Sequence, residues 1–290
     1  MKRNRGEWAL LITMVIFGTV GVAAKMADLP SGVIAVGRGL IGAASVALLA
    51  LLLKKKMAVG KKDWLYLIAS GACIGINWIF LFESYHYTSV AVSTVCYYLA
   101  PVFMVLGSVI VYHEKLSLKQ VICVLVALIG TAFLSGLKKM ENVRELIGMG
   151  FAIAAGAFYA AATMINKHPL EADDYGKSVV QLLAGGLTVL PYTLIVDRPW
   201  NVTYSTSAIL WVVILGVAHT GIAYSLLFYS VPKVSAQRVA LVSYVDPLVA
   251  VILSYTVLQE KITWYGIVGS VLVLGAAVAG SVNFKKRTKE

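Results

Sequence analysis

The sequence predicts an all-α integral membrane protein of ten transmembrane helices, arranged as two inverted five-helix repeats with the N- and C-termini cytoplasmic. The chain is 59% hydrophobic and only 13% charged over 290 residues, whereas soluble domains carry about a quarter charged residues. Its apolar runs are about 20 residues long, the length that crosses about 30 Å of hydrocarbon as a helix. They lack the alternation of membrane strands, and the second half of the chain repeats the first.

The repeat is clearest around two proline-containing segments. A shift of 146 residues aligns Gly75 to Lys115 with Gly221 to Lys261 without a gap. Between Trp64 and Gly136, about 17 of 73 positions coincide with the second copy, roughly three times the chance level for so apolar a chain. This duplication predicts two repeats, residues 1–140 and 141–290, within one compact transmembrane domain.

Ten apolar spans follow one another along the chain, separated by short polar turns. The first comes after three basic residues, as in a signal peptide, but the nine spans that follow predict a retained helix. The predicted spans one to ten are Trp8–Ala24, Gly32–Leu53, Trp64–Tyr85, Thr88–Tyr112, Leu118–Leu137, Leu146–Ile165, Lys177–Val196, Ser207–Ser230, Val234–Leu258 and Ile262–Phe284.

The basic residues predict the orientation of these spans. With the N-terminus inside, 17 of the 25 Lys and Arg residues are cytoplasmic, six are external, and Arg38 and Arg238 lie within spans. Because positive residues are retained in cytoplasmic loops, the net charge of +11 favours a membrane topology and no nucleic-acid partner. Each repeat has an odd number of helices, so the repeats insert with opposite topology, as transporters do to place one site near the midplane.

Two short motifs carry a resemblance to a known family. The residues Glu114 to Ser117 and Glu260 to Thr263 each follow a central proline and lead into a Gly-rich helix. With Lys25 closing the first span and Arg38 in the second, the chain resembles the EamA family of the drug/metabolite transporter superfamily over essentially its whole length. The resemblance implies a carrier with a cavity between helices one, three, four, six, eight and nine, and structural roles for Lys25 and Arg38, with anion binding as the alternative. It does not fix the substrate, because the family ranges over amino acids, nucleosides, vitamins, sugars and organic cations.

One position breaks the symmetry of the repeats. Asp246 stands where the first repeat has Ala100, about midway along span nine. An unpaired charge there costs several kcal/mol, so Asp246 must face a cavity, carry a proton or have a cationic partner. We predict that it carries a coupling proton or binds a substrate amine, and a structural ion pair is the alternative.

Pro101 and Pro247 predict departures from regular helix in spans four and nine. Each lacks an N–H and frees the carbonyl four residues earlier, on Tyr97 and Ser243 respectively. In lipid these carbonyls need another donor from protein or from water in a cavity. Both prolines are therefore candidate hinges, with a kink due to packing alone as the alternative.

Polar and aromatic side chains within the spans are candidates for a binding pocket. Trp78 is the tryptophan that lies away from the predicted helix ends, where an interfacial belt places the other five. For Glu83, near the external end of span three, substrate contact, a gate and headgroup contact all stay open. Arg238 either binds a carboxylate or anchors at lipid headgroups. The candidate substrate-binding residues are Asn77, Trp78, Glu83, Tyr97, Tyr98, Tyr224, Gln237, Ser243 and Tyr244.

The sequence contains no phosphate-binding glycine loop, metal-ligand cluster or nucleophile–base set. Its three cysteines fall inside apolar runs without ligand spacing. We therefore expect no enzyme activity, no cofactor and no metal, with an ion gradient or exchange supplying the work. The expected function is proton-coupled export of a small polar or zwitterionic metabolite through the inner (plasma) membrane, with an amino acid as the first candidate. The alternatives are an organic-cation carrier with an aromatic and acidic cavity and a membrane scaffold without transport, and a homodimer is left open.

Overall fold

The computed structural model describes residues 2–112, 118–134, 143–166, 171–230, 233–234, 242–261 and 263–281, which are helical with short connections and contain no strand. The helices of the first half are α1 Lys2–Gly18, α2 Val20–Ala27, α3 Ser31–Leu52, α4 Asp63–Tyr87, α5 Val90–Tyr97, α6 Ala100–Tyr112 and α7 Leu118–Leu134. Those of the second half are α8 Val143–Ile165, α9 Asp174–Tyr192, α10 Thr206–Gly216, α11 Ala223–Ser230, α12 Val245–Thr256 and α13 Trp264–Ser281.

Six helical segments of the described residues are long and apolar enough to cross a membrane. They are Arg5–Ala27, Ser31–Leu52, Asp63–Tyr87, Val143–Ile165, Asp174–Asp197 and Thr206–Leu227. Four shorter apolar helices accompany them, Val90–Met104, Val121–Leu134, Val245–Thr256 and Trp264–Ala279. The predicted all-helical, multi-pass membrane class is confirmed.

The helix of the first repeat is interrupted just before Pro101. The amide of Tyr98 is shared between the carbonyls of Thr94 and Val95 at 3.1 Å each, and the amide of Leu99 bonds only three residues back, to Cys96 at 3.1 Å. The chain re-enters helix at Ala100 as α6. The departure from regular helix predicted for span four is therefore present.

The second repeat is interrupted at the equivalent place, because Val242 and Ser243 are helical, Tyr244 is a turn and helix resumes at Val245. Since α12 begins at Val245, Pro247 lies in its first turn, where a missing N–H breaks no interior hydrogen bond. The Tyr98 hydroxyl, which donates its proton to Asp246 at 2.7 Å, also lies 3.3 Å from the carbonyl oxygen of Ser243. The departure from regular helix predicted for span nine is therefore present as well, just before Pro247.

Further irregular turns were not predicted from the sequence. Thr19 separates α1 from α2, and π-helical turns extend α9 at Thr193–Asp197 and join α10 to α11 at Val217–Ile222. Such turns loosen the regular hydrogen-bond ladder and are frequent at functional sites. Two of them, Thr19 and Val217–Ile222, lie beside the cavity described below.

Glycines allow close approach of helices both beside the cavity and away from it. A Cβ atom added to Gly39 of α3 would lie 2.9 Å from the Cα atom of Gly186 in α9. A Cβ atom added to Gly269 of α13 would lie 2.7 Å from the carbonyl oxygen of Gly130 in α7. Small residues allow this close approach in membranes, so α9 packs against the first repeat while α7 and α13 form an outer pair.

Candidate functional site

A cavity of about 650 Å³ lies between helices from both halves of the chain. Its size suits a small solute, since ligand pockets span about 300–1,000 Å³. The six helices that the family resemblance implies correspond to α1–α2, α4, α5–α6, α8, α10–α11 and α12. Each of these six segments contributes lining residues, and so do α3 and α9. The polar and aromatic lining residues include Phe17, Arg38, Asn77, Trp78, Tyr85, Thr94, Tyr97, Tyr98, Tyr159, Asn166, Lys177, Gln181, Tyr224, Ser243, Tyr244 and Asp246.

Asp246 is held at the interface of the two halves. The hydroxyl of Tyr98 donates a hydrogen bond of 2.7 Å to Oδ2 of Asp246. Gly18 of α1 packs against the same turn, because a Cβ atom there would lie 2.6 Å from the carbonyl oxygen of Asp246. Asp246 is half-buried and lines the cavity, so its carboxylate is available to a proton or to a ligand.

Tyrosines surround this carboxylate. The ring of Tyr97 lies 5.8 Å from that of Tyr98 and 5.6 Å from that of Tyr159, centroid to centroid. The rings of Tyr98 and Tyr244 are 6.1 Å apart. Tyr224 also lines the cavity, and its ring packs edge-to-face with that of Phe17 at 5.8 Å between centroids. The wall is therefore aromatic with hydroxyl groups, which suits a ligand with both polar and apolar parts.

Arg38 also lines the cavity. Its side chain is 5% exposed, and its Nε donates to Oγ1 of Thr220 at 3.0 Å. The guanidinium carbon lies 4.8 Å from the centroid of the Trp78 ring, a cation–π distance. Thr220 belongs to the π-helical turn Val217–Ile222 and donates in turn to the carbonyl of Leu215 at 3.0 Å. The contacts with Thr220 and Trp78 thus hold the guanidinium group of Arg38 at its Nε edge and on one flat face.

A second link joins the same π-helical turn to the break after α1. Oγ1 of Thr19 lies 2.7 Å from Nε2 of His219, and Nδ1 of His219 lies 3.2 Å from the carbonyl of Ile214. His219 is 5% exposed. It therefore ties the two irregular turns together.

Asn77 and Trp78 lie on the cavity wall of α4, as the sequence predicts. The side-chain amide of Asn77 donates to the carbonyl of Ala155 in α8 at 2.6 Å. The lining residues of α4 recur at helical spacing, and they are Ile74, Asn77, Trp78, Leu81 and Tyr85. One face of a single helix therefore supplies a whole wall of the cavity.

The structure does not bring Glu83 or Lys25 to the cavity. Glu83 lies on another face of α4, where its Oε1 accepts a hydrogen bond of 3.4 Å from the hydroxyl of Tyr192 in α9. The prediction that Glu83 binds substrate is therefore not supported by its position. Lys25 lies in the last turn of α2, where its charge favours the helix dipole. The candidates Gln237 and Arg238 lie outside the described residues.

Sequence reasoning missed a polar cluster on the α9 side of the cavity. The side-chain amide of Gln181 donates to Oγ of Ser70 and to Oδ1 of Asn166, each at 2.6 Å. Lys177 and Asp174 line the cavity one and two turns earlier in α9, respectively. The sequence signal available for this cluster was a polar residue within an apolar span, and Gln181 is such a residue.

No metal site is visible in the described part of the chain. Among those residues no three His, Cys, Asp or Glu side chains lie close enough together to share a metal ion. Cys73, Cys96 and Cys123 are free thiols.

A multi-pass helical fold with a cavity between its two halves is the arrangement expected of a membrane transporter. The profile of the EamA-like transporter family matches the chain twice, over residues 4–136 and 146–281. The chain therefore belongs to the EamA-like transporter family, as the resemblance of its two motifs predicted.

Individual relatives agree with this assignment. The chain is 30% identical over 268 residues to the uncharacterized transporter YxxF of Bacillus subtilis (strain 168), covering 91% of this chain and 85% of that protein. It is 26% identical to the uncharacterized transporter YwfM of the same strain, over 100% of this chain and 98% of that protein. Protein PecM of Dickeya dadantii is 24% identical, over 74% of this chain and 72% of PecM.

A solved crystal structure shares the fold. It superposes with a TM-score of 0.67 and covers 96% of this chain and 97% of its own chain, at 19% sequence identity.

Proposed function

We propose that this protein is a proton-coupled secondary transporter that exports small polar or zwitterionic metabolites, with amino acids as the first class to test. The observation that carries the proposal is Asp246, a carboxylate that lines a cavity between apolar helices and is hydrogen-bonded across the two halves by Tyr98. A carboxylate within an apolar span costs stability, so one that is retained there is expected to have a function.

Asp246 supports exchange because one carboxylate has two competing occupants. A proton neutralises it in one half of the cycle, and a substrate ammonium group neutralises it in the other. Since both cannot bind at once, loading the substrate releases the proton. This competition links outward movement of substrate to inward movement of protons, and no other chemical step is needed.

The same proposal includes the membrane layout. Ten helices form two inverted repeats, residues 1–140 and 141–290, in the plasma membrane with both termini cytoplasmic. The double match of the family profile and the excess of basic residues in the predicted inner loops support this layout.

In this orientation the cavity reaches towards the cytoplasm and is closed towards the outside. Asp174 and Lys177, at the predicted cytoplasmic end of α9, line the cavity. At the predicted external end, the carboxylate of Glu260 accepts a hydrogen bond of 2.9 Å from the amide of Val90 at the start of α5. Movement of the two repeats about the interrupted helices near Pro101 and Pro247 would exchange the closed and open ends.

The test is transport by the purified protein in liposomes. Solutes that raise its melting temperature are identified first, and their uptake is then measured with and without a pH gradient in wild type, Asp246→Asn and Glu83→Gln. The Glu83 variant is a matched control, because it removes a carboxylate that lies outside the cavity.

We expect transport to follow the proton gradient in wild type and in Glu83→Gln, and to lose this dependence in Asp246→Asn. Transport that ignores both the gradient and the Asp246 substitution would make the protein a facilitator or exchanger and Asp246 a structural residue.

An organic-cation carrier is the second candidate, because four tyrosines surround Asp246. The Trp78 ring is less suited to this role, since the guanidinium of Arg38 already lies over it at 4.8 Å. Competition between tetraethylammonium and an amino acid for uptake distinguishes the candidates, because a cation carrier binds the quaternary ammonium more tightly.

A further inference from the structure

Two side chains of opposite charge line the same cavity without forming an ion pair. Arg38 comes from α3 in the first half and Asp246 from α12 in the second. Within the described residues, neither has an oppositely charged partner at hydrogen-bond distance, and Arg38 and Asp246 do not bond each other. Both charges therefore face the space that a solute would occupy.

Arg38 has unused hydrogen-bond capacity. A guanidinium carries five N–H donors and cannot lose its charge. The Nε donor is used by Thr220 and one flat face packs on Trp78. In the part of the chain that the structure describes, the two terminal nitrogens of Arg38 have no acceptor. A buried guanidinium in this condition is suited to a bidentate carboxylate.

Asp246 offers the complementary group. Its Oδ2 accepts from Tyr98 at 2.7 Å, and an ionised carboxylate accepts further hydrogen bonds. An ammonium group supplies both the donors and the positive charge that this site lacks. The aromatic rings of Tyr97, Tyr98 and Tyr244 lie beside it and tolerate a cation on their faces.

We propose that Arg38 and Asp246 are the two ends of one binding site for an amphoteric solute, with its carboxylate on Arg38 and its ammonium group on Asp246. This proposal rests on the proposed transport function and assigns Arg38, for which the family resemblance implies a structural role, to substrate recognition. Such a solute neutralises both buried charges together. While Asp246 is ionised, a cation leaves Arg38 unpaired and an anion leaves Asp246 unpaired, so this form of the site favours a solute that carries both charges.

The test compares three solutes of the same shape by calorimetric titration of the purified protein. L-Leucine carries both charges, L-leucinamide lacks the carboxylate, and 4-methylpentanoate lacks the ammonium group. The proteins are wild type, Arg38→Gln, Arg38→Lys and Asp246→Asn. Arg144→Gln is the matched control, because Arg144 also lies over an aromatic ring, Tyr87 at 5.7 Å, but is exposed and outside the cavity.

We expect wild type and Arg144→Gln to bind leucine at least about tenfold more tightly than either analogue, the minimum for a lost charged hydrogen bond. The preference over leucinamide should disappear in Arg38→Gln and fall in Arg38→Lys, which keeps the charge but loses the bidentate geometry. The preference over 4-methylpentanoate should disappear in Asp246→Asn. If Arg38→Gln does not fold, the wild-type series and Arg38→Lys still decide the question.

Leucinamide that binds wild type as tightly as leucine, or an unchanged preference in both Arg38 variants, overturns this proposal. So does the absence of binding by all three solutes. Proton-coupled transport of another solute through Asp246 would then still stand. The transport proposal itself fails only if transport ignores the proton gradient, so the two failures are distinguishable.

Discussion

Tyr98 and Tyr244 occupy equivalent positions in the two repeats but have different partners. The hydroxyl of Tyr98 donates to the carboxylate of Asp246 at 2.7 Å. The contact cannot be reproduced for Tyr244 by symmetry, because Ala100 stands at the position equivalent to Asp246. The two tyrosines therefore differ in chemistry although they share a place in the scaffold.

This difference predicts that Tyr98→Phe changes the pH dependence of transport while Tyr244→Phe does not. A hydrogen bond to a charged acceptor contributes about 1.5–3 kcal/mol, and its loss disfavours the ionised carboxylate. The pH of half-maximal transport should therefore rise by about one unit, measured as exchange in liposomes across a pH series. Equal shifts in both variants would contradict a specific role for Tyr98.

Irregular turns of separate helices meet at the cavity. Thr19, in the break between α1 and α2, contacts His219 in the π-helical turn of α10 and α11. The next residue of that turn, Thr220, holds Arg38. Backbone polar groups released from regular helix are tolerated in a membrane only beside protein donors or a cavity. The interruptions therefore mark which elements surround the site.

The outer pair of helices gives a test of packing that leaves the cavity untouched. In Gly269→Leu the added side chain meets the backbone of Gly130 and the side chain of Leu134 in α7, with Cβ distances of 2.7 and 2.8 Å. We expect a loss of about 1–3 kcal/mol, seen as a lower melting temperature in detergent. Gly275→Leu on the same helix is the control, because nothing lies within 4 Å of its Cβ position. A similar loss in both variants would mean that the pair is not held by this contact.

Contacts between the two halves lie on the face of the molecule that carries Glu260. Glu260 of the second half accepts from the amide of Val90 at 2.9 Å and is itself bonded by the hydroxyl of Ser254. Its negative charge lies at the N-terminus of α5, where the helix dipole favours an anion. This contact links the ends of α12 and α5 on the predicted external side.

We predict that Glu260→Gln opens this face. Its effect is measured with an impermeant maleimide on a protein that carries Thr94→Cys and has Cys73, Cys96 and Cys123 replaced by serine. Thr94 is buried and lies one turn beyond Val90 on the cavity wall. Loss of a charge-assisted bond should raise the external labelling rate about tenfold.

The control for this experiment is Glu145→Gln. Glu145 also lies in the first turn of a helix, but among the described residues it has no hydrogen bond to another helix. Equal labelling in wild type and Glu260→Gln would show that the contact does not keep the face closed.

Sequence alone determined the class of fold and the chemical character of the site. Apolar span length, basic-residue placement and the duplicated proline motif identified a helical membrane carrier, because hydrocarbon admits few other backbones. Asp246, Tyr98 and Trp78 were predicted because polar or aromatic side chains deep within apolar spans are conspicuous.

Tertiary structure alone decided which faces of the helices meet. Glu83 is two residues from Leu81, so helical geometry turns it away from the cavity towards Tyr192. Arg38 is turned towards the cavity by Thr220 and Trp78, which lie far from it in sequence. Depth in the membrane can be read along the chain, but the rotation of each helix is fixed by its neighbours. That Arg38 and Asp246 line the same cavity follows only from this packing.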